Sequence, residues 1–426
     1  MTHRITSIDA LEIIDSRGNP TIKVFISLSS GAMVYAAVPS GASTGRFEAL
    51  EMRDGDDARY GGKGVLRAIA SIRDVIAPSL IGMKPNRQEE IDRLLCAIDG
   101  THNKSKIGAN AILGVSMAVA RAGAETEKLP LYRYLAPSQS DFLLPVPMLN
   151  VINGGQHADN SVDFQEFMIV PHGASRFAEA MRQGTETYHV LKSVLKSRKL
   201  TTAVGDEGGF APDLENNEQG CALIVRAIER AGLRPMEDVA IALDPAATSF
   251  RTQQGYDLVW SHGGMKSTTE LIDLYESWLD KFPIVSIEDG VAEDDWAGYT
   301  EMTRRLGSRI QIVGDDNYVT NTQFIERGIA ERCSNAVLIK LNQIGTVTET
   351  IEAIALCRSA GWNSVVSHRS GETDDPFIAD FVVALGCGQI KSGAPCRGER
   401  VAKYNRLIEI EHELGEHAEF KSPFTH

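Results

Sequence analysis

AVLIKLN, residues 336–342, is the stretch from which the fold is read. Its apolar, β-branched run reads as a buried strand, and Lys340 near its end places an ammonium where burial is expensive. A lysine in that position snorkels to solvent, pairs with a carboxylate, or serves as a base. Desolvation disfavours its charged form and lowers its pKa, so the third reading predicts a base that is neutral near pH 7. The company Lys340 keeps decides between them.

Other short apolar runs end in the same way. VAIALD ends at Asp244, IVSIED holds Glu288, IQIVGD ends at Asp315, SVVSH at His368 and GQIK at Lys391. From Glu288 onward, with Lys340 in its place, these residues are 27, 25, 28 and 23 positions apart. That is the length of one strand, one helix and two short loops in a βα unit. Residues 268–280, 296–306, 347–359 and 377–385, between the rungs, are amphipathic and of helical length. Such alternation predicts a (β/α) barrel, whose functional residues gather at the carboxyl ends of its strands. Three carboxylates, two lysines and a histidine then converge on one mouth.

The chain has 426 residues, 43% hydrophobic and 23% charged, enough for two globular domains. No run reaches a membrane span, and MTHRITSIDALEII lacks the apolar core of a signal peptide, so a cytoplasmic enzyme is expected. A net charge of −14 argues against nucleic acid or a membrane surface as partner. The six cysteines form no CxxC pair and read as reduced packing residues, without zinc or disulfides. Residues 1–136 read as a smaller α+β domain, with strands at 21–28 and 33–38 and helices at 64–76, 87–98 and 109–125. The proline-bearing segment 135–147 reads as a linker to a second domain, 137–426.

Several polar stretches lie outside the ladder. PSGASTGRFEA (39–49) reads as a surface loop or as a loop closing over a ligand, with Ser43 available to a hard cation. INGGQHADNSVDFQEFMIVP (152–171) sets His157 beside a double glycine and Gln165 and Glu166 at the start of an apolar strand. TAVGDEGGF (202–210) holds Asp206 and Glu207 between glycines. A capping carboxylate, a core-satisfied amide and a loop histidine are the bland readings of Glu207, Gln165 and His157.

These motifs resemble, in order, those of the enolase family: DSRGNPT, AVPSGASTG, GANAILGVSMAVARA, NGGQHADNSVDFQEFMI, VGDEGGFAP, SIEDG, VGDD, LIKLNQIGT, VVSHRSGET, GQIKSG and ERVAKYN. The resemblance spans residues 9–415. It implies an α/β protein, a modified TIM-type (β/α)8 barrel with a smaller N-terminal α+β domain, that interconverts 2-phosphoglycerate and phosphoenolpyruvate. It also implies a homo-oligomer and two Mg2+ sites per subunit, the second filled with substrate. Carried over by position, the metal ligands fall on Asp244, Glu288 and Asp315, with Ser43 in the loop that binds the second ion. The base falls on Lys340 and the acid on Glu207, with Glu166 alongside. Substrate contacts fall on His157, Gln165, His368, Arg369, Ser370 and Lys391; Asp316 is not carried over as a ligand. Such a site is needed because removing a proton beside an ionised carboxylate concentrates two charges there, which metal ions and a lysine stabilise in a dry site.

The sequence departs from the family at Ser249, where a glutamate is usual, at Asn317, and at Ser392, Ala394 and Cys396 in SGAPCRGER. These changes keep open a paralogue acting on a phosphonate or phosphinate analogue. A non-catalytic binding role on the same fold is a third reading, against which the complete catalytic set argues.

Overall fold

The computed structural model describes residues 3–41 and 45–424, so Ser43 lies outside the described residues. The chain opens with an antiparallel sheet of β1 (Ile5–Ile14), β2 (Pro20–Leu28) and β3 (Met33–Ala37), in that spatial order. In β2 the residues Ile22, Val24, Ile26 and Leu28 are buried, while Lys23, Phe25 and Ser27 between them are partly exposed. That alternation presents one face to the core. The reading of the sequence did not include β1. A register shift between Ile5 and Ser7 and the half-exposed Leu11 and Ile14 blur its period of two. Helices Gln88–Asp99 and Ala109–Glu127 form as expected, and the second, rich in alanine and glycine, is buried along most of its length against β2 and β3.

The linker expected over 135–147 is shorter than that. Phe142–Leu144 forms β4, and β5 (Val146–Asn153) is already the first barrel strand. The barrel continues through β6 (Glu166–Val170) and β7 (Ala240–Asp244). A small antiparallel ribbon interrupts it, made of β8 (Arg251–Thr252), β9 (Gly255–Leu258) and β10 (Gly264–Lys266). The barrel then takes β11 (Ile284–Glu288), β12 (Gln311–Gly314), β13 (Ala336–Ile339), β14 (Asn363–Ser367) and β15 (Gln389–Lys391). It closes when β15 pairs in parallel with β5. Last, β16 (Ala418–Phe420) pairs with β4. The expected helices lie between the rungs at Thr268–Leu279, Trp296–Leu306, Val347–Ser359 and Phe377–Ala384.

One strand runs against the rest: β6 is antiparallel to both β5 and β7. Reversal puts the first residue of β6, Glu166, at the mouth where its neighbours end, and Glu166 pairs in register with Asp244, the last residue of β7.

Alternation then aims the polar residues. Inside the barrel an apolar cluster contains Ala240 and Ala242, Met168 and Val170, Val313, Ala336 and Leu338, and Val146 and Met148. Side chains two apart share a face of a strand, so Asp244, Glu166, Asp315, Lys340 and Asn150 continue those inward rows at the open end. The opposite end is plugged by a hydrogen-bonded knot in which Gln311 meets Ser286, Asn363 and Gln389. There the chain's last described residues fold back, with Phe424 edge-on to His172. The N-terminal region reaches over the mouth: Ser40 bridges to Gly371, and Arg121 pairs with Asp375.

Candidate active site

A cleft opens at the mouth and is lined by His157, Gln165, Glu166, Glu207, Asp244, Asp315, Lys340, His368, Arg369, Ser370 and Lys391. Asp289, Asp316, Ala246 and Ser367 join them. Glu288 lies just behind, buried, and reaches the cleft through Lys391. Thus the structure brings together every residue carried over except Ser43.

Two carboxyl groups and two histidines form one wall. Glu207 sits in a loop whose glycines permit close approach: a Cβ on Gly205 would fall 2.6 Å from the His157 carbonyl oxygen, and Gly208 has φ +88°. Glu207 accepts a hydrogen bond from Asn150 at 3.0 Å, and His368 Nε2 is 3.3 Å from its Oε2. His157 Nδ1 stands between the carboxyl groups, 3.6 Å from Glu166 and 3.7 Å from Glu207. Their acidities diverge. Burial, reinforced by Glu207, holds Glu166 well above the ordinary carboxyl range. Burial works in the same sense on Glu207, but His368 and His157 outweigh it and hold it well below. Gln165 is buried, and its Oε1 has no hydrogen-bond partner among the described residues.

The cations occupy the rest of the mouth. Lys391 Nζ is 2.9 Å from Asp244, 2.9 Å from Glu288 and 3.2 Å from Glu166. Lys340 Nζ donates to Asp315 at 2.5 Å, and Gln343 donates to the other oxygen of that carboxylate at 2.8 Å. The sequence reading expected burial to lower the pKa of Lys340; here it is raised. Burial does work to lower it, but the touching Asp315 carboxylate, with Asp316 and Glu288 nearby, favours the ammonium more strongly. Arg369 is held at both terminal nitrogens by Glu48, at 3.0 and 3.1 Å, and donates to Asn342 at 2.9 Å.

The acidic residues suit a hard divalent cation. Asp244 and Glu288 converge on the ammonium of Lys391, so this donor set already gathers around positive charge, and Glu288 Oε2 is buried without a hydrogen-bond partner among the described residues. Oxygen donors of this kind are what Mg2+ takes. Asp315 is turned toward Lys340 and stands within 4.8 Å of Asp289 and Asp316.

Comparison with known proteins settles the family. The family model for the N-terminal domain of enolase matches residues 5–135, and the model for the enolase C-terminal TIM barrel domain matches residues 141–424. The chain belongs to the enolase family. It is 60% identical over 420 residues to Enolase 1 of Methylococcus capsulatus, covering 99% of this chain and all of that one. It is 56% identical over 420 residues to the enolase of Desulfotalea psychrophila, covering 98% and 99%.

Within this enolase the departures noted in the sequence lie outside the cleft. Ser249 lines a separate groove with Gln156, Arg251 and Trp260. Cys396 packs behind Glu207, within hydrogen-bond distance of the Gly208 carbonyl and the Tyr188 hydroxyl. Asn317 is buried, two residues beyond Asp315. The sequence reading missed Glu48, Asn150, Asp289 and Arg400. Asp289 follows Glu288 directly and accepts from the backbone of Asp315 and Asp316, a role that only the fold makes visible.

Proposed function

We infer that this enolase is a phosphopyruvate hydratase, a lyase of glycolysis and gluconeogenesis, dehydrating 2-phosphoglycerate reversibly to phosphoenolpyruvate. The observation that carries the assignment of roles is the placement of Lys340 and Glu207 on different walls of one cleft, with Lys391 and its carboxylates between them. Lys340 removes the proton from the carbon next to the substrate carboxylate. On the other wall Glu207, with Glu166 alongside, delivers a proton to the departing hydroxyl. In reverse, anionic Glu207 takes a proton from the water that adds. Lys391 faces the charge that builds on the substrate carboxylate, and Arg369 with Ser370 holds the phosphate, displacing Glu48 from the guanidinium fork.

Asp244, Glu288 and Asp315 would hold Mg2+, which would supply charge neutralisation at the substrate carboxylate. Ser43 would serve a second Mg2+ that comes with substrate. Residues 1–136 cap the barrel and residues 137–426 carry the chemistry. The setting is cytoplasmic and the enzyme a homo-oligomer, with no nucleic acid or membrane partner; no helix among the described residues is long and apolar enough to cross a membrane.

The test is turnover of 2-phosphoglycerate by the purified chain, followed by the ultraviolet absorbance of phosphoenolpyruvate. Rates of ~1–10³ s⁻¹ that vanish with chelator are expected. Folded, Mg2+-binding protein without turnover overturns the assignment and makes phosphonate analogues the next substrates.

A further inference from the structure

Arg400 heads the largest fully buried side chains among the described residues, and its relative exposure is 0%. It lies in the helix Gly398–Leu414 and points its guanidinium under the mouth of the barrel. One terminal nitrogen donates to the Arg369 carbonyl at 2.5 Å and lies 2.6 Å from His368 Nδ1. The other donates to the carbonyls of Ser370, at 2.6 Å, and Asp206, at 3.1 Å. Its Nε stands 3.4 Å from Glu399. A backbone staple needs only the three carbonyls. The contact with the imidazole is additional, and it determines where a proton sits.

The argument follows from donor chemistry. A guanidinium offers only N–H groups and does not give up its proton in a protein, so whatever it touches must accept. His368 Nδ1 therefore carries a lone pair. A neutral imidazole has one N–H, which must then be on Nε2, and the hydrogen bond at one ring nitrogen fixes the tautomer at the other. Burial, with Arg400 adding to it and Glu207 opposing it, pushes the His368 pKa down to about 4, so the ring is neutral at pH 7. Its Nε2–H faces Glu207 Oε2 at 3.3 Å.

We propose that Arg400 is a positioning residue that fixes the Nε2–H tautomer of His368, so that the imidazole donates to Glu207 and keeps its carboxyl group aligned in the cleft. Through the Asp206 carbonyl the same guanidinium ties down the loop that carries Glu207. The tautomer stands on geometry alone, whereas its consequence for turnover rests on the reading of Glu207 as the acid.

Nitrogen-15 spectra of the full chain, labelled at histidine and prepared with Mg2+ at pH 7, test the proposal; the difference from His368→Gln identifies the His368 ring. An unprotonated Nδ1 and a protonated Nε2 are expected. A protonated Nδ1, whether as the other tautomer or as imidazolium, overturns the proposal even if neither Arg400 variant folds. In Arg400→Met the ring is expected to lose its single tautomer and kcat to fall ~10–100-fold, the usual cost of removing a supporting partner. Arg400→Lys, which restores a donor, is expected to restore the tautomer and most of kcat. If Arg400→Met loses activity with the tautomer unchanged, Arg400 is a backbone staple and nothing more. If the tautomer is as stated but Glu207→Gln turns over normally, the acid assignment fails and the Arg400 proposal stands.

Discussion

Replacing Lys340 with alanine separates the base from the rest of the site. The ammonium is 2.5 Å from Asp315, and both side chains are nearly buried, at 13% and 7% exposure. Two losses follow. A positioned base contributes ~10²–10⁴-fold, so Lys340→Ala should slow removal of the substrate's α-proton by at least 10²-fold, about 3 kcal/mol or more in the barrier. Breaking a buried ion pair costs roughly 3–5 kcal/mol when the surviving charge is stranded. Asp315 keeps its hydrogen bond from Gln343 and faces the cleft, so the stability loss belongs at the low end of that range. Exchange of the C2 proton of 2-phosphoglycerate in heavy water, read by proton NMR with Mg2+ present, isolates the first loss. Urea unfolding and Mg2+ titration of the same variant monitor the second. Exchange at the parental rate in a folded, Mg2+-binding variant would refute Lys340 as the base.

Other substitutions probe the other walls. Glu207→Gln should keep α-proton exchange while elimination falls ~10²–10⁴-fold; joint loss of both, measured in the same heavy-water assay, assigns Glu207 a structural role. Arg369→Lys gives up the two-pronged grip on phosphate, worth roughly 1.5–3 kcal/mol, so KM should rise ~10–100-fold with kcat less affected, and an unchanged KM removes Arg369 from the phosphate site. For pH, His368 is pushed from its ordinary 6.5 down to about 4, so between those values the unfolded chain binds a proton that the folded chain refuses. Stability therefore falls as pH drops through that window, by roughly 3 kcal/mol in all. Urea midpoints across pH 7 to 4 should fall less steeply for His368→Gln than for the parent, and parallel curves contradict the linkage. Gly205→Ala pushes a Cβ to within 2.6 Å of the His157 carbonyl, so it should cost ~1–3 kcal/mol of stability and lower kcat; parental values for both mean that the two loops are not in contact in solution.

The ladder of polar residues was legible because each rung interrupts an apolar run at the same point of a repeating βα unit. The structure shows why that point matters, since inward rows such as Ala336, Leu338 and Lys340 end at the mouth. What stayed hidden depends on direction and distance. The reversal of β6 leaves no mark in EFMIV, yet it alone explains why Glu166 opens its strand when the other functional residues close theirs. Glu48 meets Arg369 across 321 positions, and no local pattern announces that contact. For Lys340, burial was read correctly but its partner was not, and the partner reverses the sign of the pKa shift.

Closure of the barrel between β15 and β5 has a consequence for how the chain is made. Val146 waits for Gln389, 243 positions later. At ribosomal speeds of ~5–20 residues per second that is a delay of roughly 12–50 s. Throughout it one edge of β5, a strand buried along its whole length, has no permanent neighbour, and an unpaired apolar edge recruits strands from other chains. Production of this enzyme in quantity therefore depends on what shields that edge during synthesis, and slowing translation lengthens the exposure instead of helping the fold.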